Sequence, residues 1–278
     1  MFSLPQPSPT AIDNTTAGEI PIIPVTEDAQ TLDFMFRTIY PVRSPKIEKL
    51  SDLRFVLEAS LKYQIETLDG VAEESLMGAI EQDPVSVYAL ACRSGLNEIA
   101  SKAAPYTLNR PLSEFSDCLQ YISGEDYWRL IKYRHECAVA ASAVVKTRSW
   151  LSECPKTLLR SGGGSNCRCY VKDAIRCERG FSSSYYWEAP QFLWTFLDRV
   201  AVALMKRPSS SAVTGDKSFE SLWASVKCNC AGYPYRSNDL NDGMPKFRQL
   251  LAAEIDRVIA QVCPPLFDSL PLPSGHQL

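Results

Sequence analysis

The feature that most constrains this chain is a succession of short apolar stripes at helical spacing, each closed by a capping residue or a proline. Glu27 and Asp28 open the first, with Leu32, Met35, Phe36, Ile39 and Tyr40 on one face before Pro41 stops it. Acidic residues suit a helix start because the N-terminal end of the helix dipole is positive. A second helix is predicted over about 48–64, with Leu50, Leu53, Leu57 and Leu61 on one stripe. A third is predicted over about 66–80, with Leu68, Ala72, Leu76 and Ile80 inward. Asp83-Pro84 reads as N-cap and first helical residue, followed by Val85, Tyr88, Ala89 and Cys92 as the buried face. Ser94-Gly95 reads as a C-cap, and Leu96, Ile99, Ala100 and Ala103 begin a new helix. Pro111 opens a short unit, and Ser123–Asp126 forms a capping box ahead of a helix over 127–144.

The same logic continues beyond SGGGSN at 161–166, whose composition is that of a linker. A helix is predicted over 187–207, with Phe192, Leu193, Phe196, Leu197, Val200 and Leu204 on one face. Phe219, Leu222, Trp223 and Val226 mark a shorter helix after Asp216. Phe247, Leu250, Leu251, Ile255, Val258, Ile259 and Val262 mark a final helix over about 245–262, ended by Pro264-Pro265. Outside this pattern, EIPIIPV at 19–25 contains two prolines and fits only an edge strand. The expected class is therefore mostly α (α+β): a short β edge, stacked helices, then a helical C-terminal module. Apolar residues are 45% and charged residues 22% of the 278, the balance of a chain that buries a core. No apolar run approaches the roughly 20 residues that cross a bilayer, so no membrane partner is expected.

Charge is unevenly distributed. Residues 1–128 hold 9 Lys and Arg against 19 Asp and Glu, a net of −10, whereas residues 129–207 hold 14 against 6, a net of +8. A basic middle can meet an acidic partner or the acidic first half of the same molecule, but a solvated basic face is the simpler reading. The opening MFSLPQPSP has neither a basic n-region nor an apolar h-region, so an intracellular site, cytoplasmic or nuclear, is expected, with its ten cysteines reduced.

Candidate chemistry is sparse. The two histidines are His135 and His276, which leaves little room for a histidine base beside a nucleophile. No G-x-S-x-G elbow is present, and GGGSN at 162–166 lacks the Gly-Lys-Ser/Thr of a phosphate loop. His135 and Cys137 lie two apart on a predicted helix and point to different sides, so they cannot share an ion. Glu27-Asp28 and Glu73-Glu74 read as solvated helix turns. Tyr185, Tyr186, Trp187, Trp194 and Trp223 could stack a ligand, although their spacing fits core packing better. The cysteines offer the one metal hypothesis. Cys167-Arg-Cys169 and Cys228-Asn-Cys230 form two C-x-C pairs, and four thiolates meet the count for a closed structural zinc site. C-x-C is tighter than the usual spacing, Cys154 or Cys177 could replace a member, and unligated thiols or a redox pair are the alternatives. No other cofactor is expected.

EIPIIPVTEDAQTLDFMFRTIYPV (19–42), LSDLRFVLEASLKYQIETLDGVAEESL (50–76), DPVSVYALACRSGLNEIASKAA (83–104) and YISGEDYWRLIKYRHECA (121–138) together resemble a fungal BTB/POZ domain and its helical extension. The order and spacing of the stretches carry this likeness, since each alone is a generic amphipathic pattern. A family domain starts with a strand pair and a helix that here would precede Met1, so the resemblance implies a BTB unit lacking its first strands and helix. The division it suggests is a flexible 1–18, a partial BTB/POZ-like unit at 19–82, a helical extension at 83–150, a Cys-containing helical region at 151–263 and a Pro-rich tail at 264–278. The resemblance also implies paired cysteines flanked by tryptophans in the later half, which favours zinc. It further implies a non-enzymatic protein–protein adaptor, working as a homodimer or on the cullin scaffold of a ubiquitin ligase. The hydrophobic-x-Glu motif of cullin-binding members has no clear copy in YPVRSPKIEKL (40–50). The rival expectation is a BTB-type transcription regulator whose basic, zinc-stabilised region binds nucleic acid. No C2H2 finger or base-reading helix supports it.

Overall fold

The computed structural model describes residues 24–40, 42, 50–111, 116–147, 150–151, 160–161, 170–174, 186–215, 237–262 and 264. Among them the chain is mostly helical. It divides into two compact units, Met1–Pro45 and Lys46–Leu278. Residues 19–23 of the expected edge strand lie outside the described residues, and Pro24 and Val25 are described but in no strand. The short helix expected after Asp216 and residues 1–18 and 265–278 also lie outside them.

The first unit contributes α1 (Ala29–Ile39), which starts where the sequence requires. The Asp28 carboxylate accepts the Thr31 N–H at 2.7 Å, satisfying one of the donors that a helix start leaves free.

In the second unit, α2 (Leu50–Tyr63) and α3 (Glu66–Ala79) are joined by a two-residue turn in which Gln64 takes a positive φ of 53°. Leu68, Ala72, Leu76 and Ile80 are buried as their spacing predicts. α4 (Pro84–Arg93) begins at an Asp83 cap that accepts the Ser86 N–H, with Pro84 in the first turn. It ends in a full Schellman motif. The Gly95 N–H bonds the Cys92 carbonyl at 3.2 Å and the Leu96 N–H bonds the Ala91 carbonyl at 2.9 Å. That closure requires a left-handed residue, and Gly95 supplies it with φ 71°.

Only one face of α4 was expected inside, yet Pro84 and Ser86 through Ala91 are all buried, while Val85 and Cys92 are half-buried. The cause is position: α4 packs against α2, α3, α5 (Asn97–Tyr106) and a 3-10 turn at Asp117–Tyr121. Surrounded on so many sides, it keeps little surface for water.

α6 (Gly124–Thr147) starts at the expected capping box, in which the Asp126 N–H bonds Ser123 Oγ at 3.0 Å. Its 24 residues serve two cores. Leu130, Tyr133 and Cys137 belong to the core of α2–α5, while Ala141, Val144 and Val145 belong to a second core. That second core is completed by α7 (Gln191–Lys206), the short α8 (Ser211–Thr214) and α9 (Ser237–Ile259). Phe247 lies at its centre, 5.2 Å from the Trp150 ring and 6.2 Å from the Phe196 ring. Ile259, near the end of α9, packs on both cores.

A small sheet departs from the sequence expectation, which placed residues 187–207 in one helix. Tyr186–Pro190 instead form β3, the central strand of an antiparallel sheet with β1 (Arg160–Ser161) and β2 (Tyr170–Ala174). Aromatic residues favour an extended backbone, and Ala189 precedes a proline, which disfavours the helical region. The register sets buried Glu188 opposite Arg160 on one side and Lys172 on the other. The sheet is tied to α7 where Trp194 Nε1 donates to the Val171 carbonyl at 3.1 Å.

α9 begins at Ser237, earlier than its apolar stripe suggested, and carries Pro245 within it. Arg248 holds it to α8, donating from Nε and Nη2 to the Val213 carbonyl at 3.0 and 2.7 Å. Among the described residues no helix is long and apolar enough to cross a membrane.

Candidate interaction surface

α1 presents two apolar faces. Thr31, Phe34 and Met35 are buried, whereas Phe36, Ile39 and Tyr40 are exposed at 53%, 49% and 63%. Spacing places Phe36 and Ile39 on one stripe of the helix surface, and Tyr40 follows them at the C-cap. The sequence grouped them with Leu32 and Met35 on one face, and the structure buries Met35 while leaving these three exposed. Local bonds hold the helix firm under this stripe. The Tyr40 N–H bonds the Phe36 carbonyl at 2.8 Å, Thr38 Oγ1 bonds the Phe34 carbonyl at 2.9 Å, and Arg37 pairs with Asp33 at 2.8 Å. Hydrogen bonds from the Thr31 backbone and side chain hold the Asp28 carboxyl below its ordinary range, so the cap stays ionised.

α2 shows the same departure on a smaller scale. Leu53 and Leu57 are buried with Val56, but Leu61 stands 58% exposed. The Arg54 guanidinium lies over two rings, 4.2 Å from the Phe55 centroid and 4.1 Å from that of Tyr121, and pairs with Glu58 at 3.6 Å. This stack fastens α2 to the 3-10 turn that follows α5.

The ionisable groups inside the second unit are arranged for structure. Tyr88 Oη donates to the Asp126 carbonyl at 2.8 Å and adjoins Cys92. Burial, reinforced by Asp126, pushes the Cys92 thiol up to about 12. Tyr133 and Cys137 repeat the pairing one turn apart on α6, and burial pushes the Cys137 thiol up to about 11. Both tyrosine hydroxyls are also held well above their ordinary value by burial. A nucleophilic cysteine needs its thiolate, so neither thiol is poised for attack. Arg134 is buried and donates to the backbone carbonyls of Thr107 and of Arg110, the latter at 2.7 Å. Its charge lies beyond the C-terminal end of α5, at the 3-10 turn Thr107–Asn109, the favourable end of the helix dipole for a cation.

Cys167, Cys169, Cys228 and Cys230, with Cys154 and Cys177, lie outside the described residues. The described cysteines, Cys92, Cys118 and Cys137, are free thiols. Among the described residues no group of three His, Cys, Asp or Glu side chains could hold a metal ion. His135 is exposed while Cys137 is buried, so these two do point apart on α6. Trp194 is buried and Trp187 half-buried against the second core, consistent with packing; Tyr185 and Trp223 lie outside the described residues. Glu73 and Glu74 are exposed.

No protein-family model matches this chain, no curated protein matches it, and no solved structure matches it. The BTB/POZ resemblance therefore stands on the four stretches of sequence quoted above.

Sequence reasoning missed the second face of α1. The signal was present in its composition: Leu32, Phe34, Met35, Phe36 and Ile39, with Tyr40 at the C-cap, are more large apolar residues than one stripe of an 11-residue helix can hold.

Proposed function

We propose that this chain is a non-enzymatic adaptor of the BTB/POZ type that works by protein–protein contact, as a homodimer or on a cullin scaffold. The observation that supports it most is the α1 stripe, where Phe36, Ile39 and Tyr40 stand exposed beside an already buried face. Large apolar side chains grouped in this way on a surface mark contact sites. Fully covering a side chain of this size contributes roughly 1.5–3 kcal/mol, and with each of the three about half exposed, covering them gives about half of that apiece. The raised thiols and the carbonyl-bound Arg134 also suit a packed scaffold better than a reacting centre.

The test compares the native chain with the triple variant Phe36→Ser, Ile39→Ser, Tyr40→Ser. Light scattering reads self-association, and titration with a purified cullin reads scaffold binding, with circular dichroism confirming equal helicity. Association present in the native chain and lost in the variant supports the adaptor. Neither form of association in the native chain, or association unchanged in the variant, overturns it. Salt-sensitive binding to duplex DNA by a chain that binds neither partner would favour the nucleic-acid regulator instead. Metal analysis of the purified chain tests structural zinc on Cys167, Cys169, Cys228 and Cys230. Near-equimolar zinc supports it, and a metal-free chain ends it.

A further inference from the structure

We draw no further inference here: the strongest candidate, the outward face of α3 on which Glu73, Glu74 and Met77 lie among Gly70 and Gly78, is an exposed stripe of acidic and small residues, and nothing in the structure shows what covers it.

Discussion

The Tyr88 hydroxyl, on a fully buried ring of α4, donates to the backbone carbonyl of Asp126 in the first turn of α6, 2.8 Å away. One side chain thus joins the most enclosed helix to the start of the longest one. Tyr88→Phe keeps the ring and removes the bond, so it is expected to destabilise the protein by about 1 kcal/mol. Tyr88→Ala also leaves a cavity and is expected to lose about 3–5 kcal/mol. Urea titration separates the two, with the midpoint falling and the slope unchanged for Tyr88→Phe. Equal losses in both variants would contradict this division of roles.

Arg134→Met removes a buried cation whose partners are the Thr107 and Arg110 carbonyls. Hydrogen bonds to a charged group contribute about 1.5–3 kcal/mol, and a loss of about 2 kcal/mol is expected once the relief of burying no charge is included. Arg37→Ala on the exposed surface of α1 provides the contrast. Its partner Asp33 is equally open to water, so the change is expected to stay within about 0.5 kcal/mol. Thermal unfolding of the two variants side by side checks the ranking.

The cysteines of α4 and α6 set a pH dependence. Their folded values rise from 9.0 to about 12 for Cys92 and about 11 for Cys137. Between the unfolded and folded values the unfolded chain has released protons that the native chain still holds. The stability these two thiols contribute is therefore fully present below about pH 9 and is lost as pH rises through 11 to 12. Denaturant midpoints taken across pH 8 to 11 are expected to fall in that direction. At pH 8, Cys137 is expected to resist iodoacetamide until the chain is unfolded, which mass spectrometry of pulse-labelled samples would show.

Gly70 and Gly78 lie on α3, and a methyl group built on either meets nothing within 4 Å. Glycine inside a helix is less stable than alanine by about 0.5–1 kcal/mol because it loses more backbone freedom on folding. Gly70→Ala and Gly78→Ala are each expected to raise Tm by a few degrees, additively. Gly95→Ala is expected to lower it, since its φ of 71° lies where residues with a side chain are strained.

The local parts of this architecture were legible. Asp83-Pro84, Ser94-Gly95 and the Ser123–Asp126 box each mark a helix boundary that the structure confirms through a bond between near neighbours. The stripe of α3 was legible for the same reason, since its four inward residues recur at the helical period. Phe36, Ile39, Tyr40 and Leu61 misled because an apolar residue at the right spacing announces a face without saying whether anything covers it.

Capping chemistry and apolar periodicity, both written within a few neighbouring residues, were enough to determine a mostly helical protein and where most of its helices begin. Three matters were left to the tertiary structure: the enclosure of α4 on nearly every side, the pairing of Tyr186–Pro190 with strands at 160–161 and 170–174, and the choice between the faces of α1. The physical reason is common to all three. Burial and strand pairing depend on segments far apart in the chain, and no local hydrogen bond or period encodes which distant surface will arrive.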